Sequence, residues 1–407
     1  MQGRIDEFVG LQGNPGTASS YRSAVRRYLD FIYGPQRKGR MVTREEARQY
    51  EDLAEKYMTG EHNYTVDIQR FAASLNAMKS PPKSAQFWLS VVREFLKVQG
   101  IVISDDLWKM TKRRGPKGRL ARTREATFNR DLIQRIIPYM EVQTRAVFLT
   151  MLSSGMRVGE TLKLTLEDIH LDEEPVRIAL PGDVTKSGDP RTTFISREAA
   201  AAVRAWLEIR DRWMKASQNR NAGLLAFHKK EHLAKVIEGD DRLFPLHSST
   251  ILESFTRSLK KAGVDEIDPK TNRRRVHMHQ CRKFFRTVMA QRMPVDVVEL
   301  LMGHNGYLSD AYVRYTDDEI RQYYLQAEGA VCVGISDDVA EAIVGEQMGR
   351  QLNALQEENT ALRDELNQVQ RQIALMGAMQ ADVAAHPEVL QALIDARIRA
   401  MKGSGDL

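Results

Sequence analysis

The residues of this chain whose types could do chemistry are mostly cations, and they fall in helical or turn contexts. Arg157 follows Ser154-Gly155 in the run SSGMRVGETLKL, and Glu160, three residues on, falls on the same side of a following helical turn. A carboxylate there can hold the guanidinium through a bidentate bond. Lys186 lies on a turn in VTKSGDPR, and His279 and Arg282 stand at i and i+3, with Lys283 and Arg286 extending the same stripe. Gly303 ends an apolar segment and presents His304 just past a helix C-terminus, with Tyr312 and Tyr315 shortly after. The sequence carries no Walker-type phosphate loop, no paired-cysteine zinc pattern and no carboxylate cluster of the two-metal kind. His277, His279 and Cys281 are spaced by two, which on a helix sends them to different faces rather than onto one ion. The expected chemistry is therefore that of positioned cations, with neither metal nor cofactor.

These residues need elements to hold them, and 407 residues are too many for a single core, so two or three domains are expected. Residues 1–110 read as a small helical bundle. Tyr21, Val25, Leu29 and Ile32 recur at helical spacing, as do Trp88, Val92, Phe95 and Leu96. Residues 111–127 read as a basic linker, since Thr111 to Glu125 hold seven Lys or Arg against one acid and include Gly115, Pro116 and Gly118. Its charge suits a polyanion. Residues 128–328 read as a mainly α domain with one small β-hairpin. Asp131 is positioned to cap the first helix, Ser153-Ser154-Gly155 ends another, and strands are expected over 176–180 and 191–196.

A C-terminal extension, 329–407, begins with an expected extended piece over 329–335. It then carries Leu352, Leu355, Asn359, Leu362, Leu366, Val369, Ile373 and Met376 at alternating spacings of three and four. That heptad seam predicts a coiled coil over 345–378, with Asn359 at an a position favouring two parallel strands. The fold class expected is mainly α throughout. The net charge of +6 is mild, two cysteines cannot build a disulfide framework, and no stretch has the apolar length of a membrane span. A cytoplasmic protein is expected.

The order Arg157, Lys186, His279-x-x-Arg282, His304 and then a tyrosine resembles the catalytic set of the tyrosine recombinases, or phage-integrase family. SSGMRVGETLKLTLEDIHLD resembles the family's first arginine box, HMHQCRKFF its His-x-x-Arg box, and LLMGHNGYLSDAYVRYT its Gly-His…Tyr box. The resemblance runs from about Asp131 to Leu325, and the tyrosine string SDAYVRYTDDEI is similar to an archaeal, Xer-like branch. Two departures stand out. The box that commonly reads His-x-Leu-Arg-His is here His279-Gln-Cys281-Arg282-Lys283. Tyr312 lies eight residues after His304 and Tyr315 eleven, on either side of the family's usual spacing. Spacing favours Tyr312, the local string Arg-Tyr-Thr favours Tyr315, and Tyr312 is the choice taken.

The resemblance implies a recombinase or integrase that cuts and rejoins double-stranded DNA at specific attachment sites, through a covalent 3′-phosphotyrosyl intermediate. It implies Tyr312 as nucleophile, Arg157, Arg282 and His304 on the phosphate oxygens, His279 as proton acceptor and Lys186 as proton donor, with Glu160 supporting. It also implies a tetramer in the synapse, with the helix 317–327 docking on a neighbour. By charge, Arg22, Arg26, Arg27, Lys112, Arg113, Arg114, Lys117, Arg119 and Arg273 to Arg275 are expected on phosphates, which position a duplex without reading its bases. A type IB-like topoisomerase and a non-catalytic DNA-bridging protein are the alternatives.

Overall fold

The computed structural model describes residues 3–39, 41–118, 123–227, 239–303, 315–334, 359–360, 362–375 and 387–403. Among the sequence expectations, His304, Tyr312, Arg119 and the outer parts of the heptad segment lie outside these residues. The chain divides into two units, Met1–Arg124 with Asp268–Arg273, and Glu125–Ile267 with Arg274–Leu407.

The first unit is built on six helices: α1 (Arg4–Gly10), α2 (Pro15–Tyr33), α3 (Arg44–Thr59), α4 (Tyr64–Ala77), α5 (Pro82–Val98) and α6 (Asp105–Arg114). Local signals start them where side chains can satisfy free amides. The Asn14 side chain accepts from Gly16 N ahead of Pro15 in α2, and Thr43 and Glu46 form a reciprocal capping box on α3. The predicted apolar stripes bury Val25 and Leu29 of α2 and Val92, Phe95 and Leu96 of α5, while Tyr21, Ile32 and Trp88 are half-buried beside them. Tyr28 and Tyr57 share a buried hydroxyl contact of 2.6 Å inside this core.

One expectation fails here. The stretch expected to be linker from residue 111 is helical as far as Arg114. Ser104 caps α6 by accepting from Leu107 N, Asp105 and Asp106 sit in the first turn, and Lys112, Arg113 and Arg114 sit in the last. Acids at the N-terminus and bases at the C-terminus both complement the helix dipole, so the cluster stabilises the helix it was expected to interrupt. The break comes at Gly115.

In the second unit α7 (Arg130–Ile136) is capped by Asn129, which accepts from Leu132 N at 3.0 Å, and not by Asp131, which lies inside the first turn. α8 (Val142–Ser154) is buried along its whole length and forms the axis of the core, against Trp206, Phe244 and Phe255. A one-turn helix α9 (Val158–Thr161) leads to a three-stranded antiparallel sheet, β1 (Ile169–His170), β2 (Val176–Leu180) and β3 (Arg191–Ile195), in that order. β2 and β3 pair from Val176↔Ile195 to Leu180↔Arg191. The hairpin was expected; β1, at two residues, is too short to show alternation. The loop of the hairpin needs Gly182, where a Cβ would lie 2.4 Å from Gly188 O.

Helices α10 (Arg197–Phe227), α11 (Ser248–Lys261), α12 (Gln280–Met289), α13 (Val295–Met302) and α14 (Asp317–Ala327) complete this unit's main body. α14 was expected to dock on a neighbouring protomer. Part of that face packs on its own chain: Tyr324 is fully buried with Phe194, Phe285 and Leu301, and its hydroxyl donates to Ser153 O at 2.7 Å, while Ile320 and Leu325 are half-buried. The piece expected to be extended from residue 329 begins as a 3-10 turn, Glu328–Ala330, and forms no strand to residue 334. Further on, residues 362–375 are helical, as is Pro387–Gly403. The seam residues Leu362, Leu366, Val369 and Ile373 are 49–60% exposed, so the chain's own described residues do not cover them.

Candidate active site

The site begins where α8 stops. Gly155 takes a left-handed conformation (φ +67°), and a Cβ there would sit 2.5 Å from the Phe285 ring, so the turn needs glycine for both backbone and packing. Ser154 Oγ accepts from Met156 N at 3.3 Å and donates to Thr150 O at 2.5 Å, which fixes the chain as it leaves the helix. Two residues later Arg157 stands at the N-cap of α9.

Glu160, the N3 residue of α9, is buried, and its carboxylate is shared by three donors. One oxygen accepts Arg157 Nη1 at 2.5 Å; the other accepts Arg157 N at 2.9 Å and Arg191 Nη2 at 2.8 Å. The expected bidentate pair with Arg157 alone is therefore replaced by a bridge between two guanidinium groups. Burial pushes the Glu160 carboxyl up, but the Arg191 bond, the Arg157 amide and the two positive charges outweigh it, and the group is held below the usual carboxylate range. Arg157 itself keeps 30% of its side chain exposed, which leaves a charged edge open to a ligand.

Arg282, from the first turn of α12, is buried rather than on the expected surface stripe. It donates one arm to Gly155 O and the other to Met302 O at 2.7 Å. Those carbonyls end α8 and α13, where helical partners run out, so Arg282 ties the Arg157 turn to the end of α13. Burial lowers its pKa to about 10, with Arg157 the next contributor, so it stays charged at neutral pH. His279, at the N-cap of α12, is exposed at its surface yet has its pKa lowered. Partial burial comes first, then the positive fields of His277, Arg282, Lys283 and Arg157. A neutral imidazole beside those arginines can accept a proton at pH 7.

The remaining calls divide. Lys186 is exposed on the β2–β3 turn, which Thr185 braces by hydrogen bonds to Gly182 O and Asp189 O at 3.0 and 2.9 Å. Lys283, at the position where the box departs from pattern, pairs with Glu125 at 2.6 Å, and His277 reaches the same carboxylate at 3.2 Å. Tyr315 is half-buried, its ring edge-on to Tyr323 at 5.8 Å. In the first unit, Arg22 pairs with Asp6 at 2.9 Å, Arg26 lies over Tyr50 and Arg27 over Trp88 at 4.1 Å. Lys112, Arg113, Arg114 and Lys117 are exposed. Arg274 and Arg275 are engaged by Asp265 and Glu266, while Arg273 is exposed. Sequence reasoning missed Arg191 entirely. It lies 31 residues from Glu160, and only the return of β3 past α9 brings them together.

Two guanidinium groups converging on one turn, with a neutral histidine beside them, can gather negative charge on a bound anion. Residues 127–320 match the model of the phage integrase family. The chain is 22% identical over 326 residues to tyrosine recombinase XerA of Saccharolobus solfataricus, covering 79% of this chain and 90% of that protein. It is likewise 22% identical over 278 residues to the XerA of Pyrococcus furiosus, covering 68% and 85%. Among solved structures, the Tn1549 transposon integrase in complex with transposon right end DNA aligns with a TM-score of 0.45 at 14% identity, covering 73% of this chain and 97% of that one. Residues 127–320 thus form a domain of the phage integrase family, the tyrosine recombinases, which makes the chain a DNA-cleaving and rejoining enzyme. Both XerA relatives are of the archaeal, Xer-like branch.

Proposed function

We propose that this protein is a site-specific recombinase that integrates or excises a mobile element. Tyr312 Oη attacks the scissile phosphorus as its proton passes to His279. Negative charge gathers on the non-bridging oxygens, met by Arg157, Arg282 and His304. The 5′-oxygen leaves with a proton from Lys186, and the phosphotyrosyl link keeps the bond energy for rejoining to another 5′-hydroxyl. Atoms and charge balance without a cofactor. The observation that carries this reading is the shared Glu160 clamp, which holds Arg157 at the turn that Arg282 braces from α12.

The duplex is gripped through phosphates by Arg22, Arg26, Lys112, Arg113, Arg114, Lys117 and Arg119, and recombination proceeds in a tetramer. The protein works in the cytoplasm on chromosomal or mobile DNA; no helix among the described residues is long and apolar enough to cross a membrane. Incubating the protein with a nicked duplex, carrying a site selected from a random-sequence pool by binding, should give a covalent band on a denaturing gel. No band on DNA that the protein binds would overturn the enzymatic assignment of these residues.

The exposed seam of residues 362–375 pairs protomers as a parallel two-stranded coiled coil, burying Leu362, Leu366, Val369 and Ile373 against their copies. Removing residues 345–407 should lower the number of protomers per particle found in solution by light scattering. An unchanged number of protomers would sink this pairing.

A further inference from the structure

We propose that Arg191 is a positioning residue of DNA cleavage, which keeps Arg157 open to the phosphate by occupying the second oxygen of Glu160. The inference rests on the reading of Arg157 as a phosphate ligand and adds what holds it ready.

Carboxylate and guanidinium prefer a two-bond fork when nothing else competes. Here Glu160 gives Arg157 only one side-chain bond, Nη1 to Oε1 at 2.5 Å, while Arg191 Nη2 takes Oε2 at 2.8 Å. Arg157 Nη2 and Nε have no hydrogen bond among the described residues, so both remain for a ligand. Arg191 has less freedom, since its Nε and Nη2 are both bonded within the protein. Its side chain is 9% exposed against 30% for Arg157, which leaves it little edge for a duplex. Without Arg191, Oε2 keeps only the Arg157 amide, and its other lone pair is open to complete the fork, so Arg157 would turn its remaining donors inward.

The same side chain joins two other parts of the site. Arg191 Nε donates to Leu301 O at 3.3 Å, one carbonyl before the Met302 O that Arg282 takes. Gly303 lies so close that a Cβ there would sit 2.8 Å from Arg191 Cδ. Arg191 also opens β3, the strand that returns from the turn carrying Lys186. One guanidinium therefore touches the partner of Arg157, the end of α13 just before His304 in sequence, and the root of the Lys186 hairpin.

A merely structural arginine and a positioning one differ in what a neutral substrate does to their loss. Cleavage is measured in single turnover on two nicked duplexes, one with the natural scissile phosphodiester and one with a methylphosphonate there, which lacks the charge that Arg157 meets. Arg157→Ala is the reference and should lose much more rate on the phosphodiester than on the methylphosphonate. Arg191→Gln should fall about 100-fold on the phosphodiester, the scale of a catalytic group misplaced by about an ångström, and should share that substrate ratio. DNA affinity should stay within about twofold, because Arg191 offers little edge to the duplex. Equal losses on both substrates, or no loss, would overturn the proposal. Should Arg191→Gln not fold, Arg191→Lys, which keeps the charge without the fork, is read the same way; failure of both to fold would mean a structural role and also overturn it. If Arg157→Ala shows no difference between the substrates, the reading of Arg157 itself fails, which is a separate result.

Discussion

Tyr312→Phe is expected to leave no covalent protein–DNA product on the nicked duplex, while Tyr315→Phe retains the band. The nucleophile needs an environment that favours the phenolate, because an ordinary tyrosine with a pKa near ~10 is almost wholly protonated at neutral pH. Tyr315 has the reverse. Its pKa is raised, first by partial burial and then by Tyr323, Asp296 and Glu319, which place further negative or potentially negative oxygens about it. Its ring is also engaged edge-on by Tyr323, a contact that favours keeping it in the apolar cluster of α14. Removing the attacking oxygen leaves only uncatalysed routes, so the loss in Tyr312→Phe should be on the order of 10⁴-fold or more. A band lost only in Tyr315→Phe would move the nucleophile three residues along. A band surviving in both variants would mean that neither tyrosine attacks.

How far the chain could be read without its structure depends on the range of the interactions concerned. The helical stripe of α2 and the β2–β3 hairpin were legible because each is set by neighbours a few residues apart. For the hairpin, Gly182 and Ser187-Gly188-Asp189-Pro190 mark where the chain must turn. The basic end of α6 was misread because its Gly and Pro content was weighed over a window, whereas the helix is decided by a cap at Ser104 and charges at both ends. The cap of α7 was misplaced by two residues, from Asn129 to Asp131, for want of any sequence signal that ranks two good caps so close together.

Arg157 and Glu160 were legible as a local pair, while the roles given to Lys186, His279 and Arg282 rest on resemblance. What was hidden is the wiring at long range. Nothing in the sequence says that Arg191 completes Glu160, or that Arg282 is buried between the ends of α8 and α13. The docking of α14 on its own chain was hidden for the same reason. An amphipathic face shows that something will cover it, and only the fit of Tyr324 against Ser153 O shows what.

On the proposed reading, buried Arg282 has two duties, to the phosphate and to the fold, that a single substitution should expose together. Arg282→Ala should slow cleavage by about 10³-fold, the upper range for removing one set of preorganised donors from a developing oxyanion. The same change should lower stability by roughly 3 kcal/mol, since Gly155 O and Met302 O both lose a charged partner in a buried setting. For a body of this size that is a fall in Tm of about 6–12 °C. Arg157→Ala should slow cleavage on a similar scale with little change in Tm, because its side chain is partly exposed and Glu160 keeps Arg191. Arg282→Lys separates the two duties further: an ammonium keeps the charge but cannot span two carbonyls in fixed directions, so part of the stability returns and most of the rate does not. Thermal melts of the four proteins, with single-turnover rates taken well below the lowest Tm, test this. An Arg282→Ala protein that melts with the wild type would show that the carbonyl contacts contribute nothing to the fold. One that cleaves within tenfold of wild type would remove Arg282 from the phosphate and leave Arg157 as the site's only guanidinium ligand.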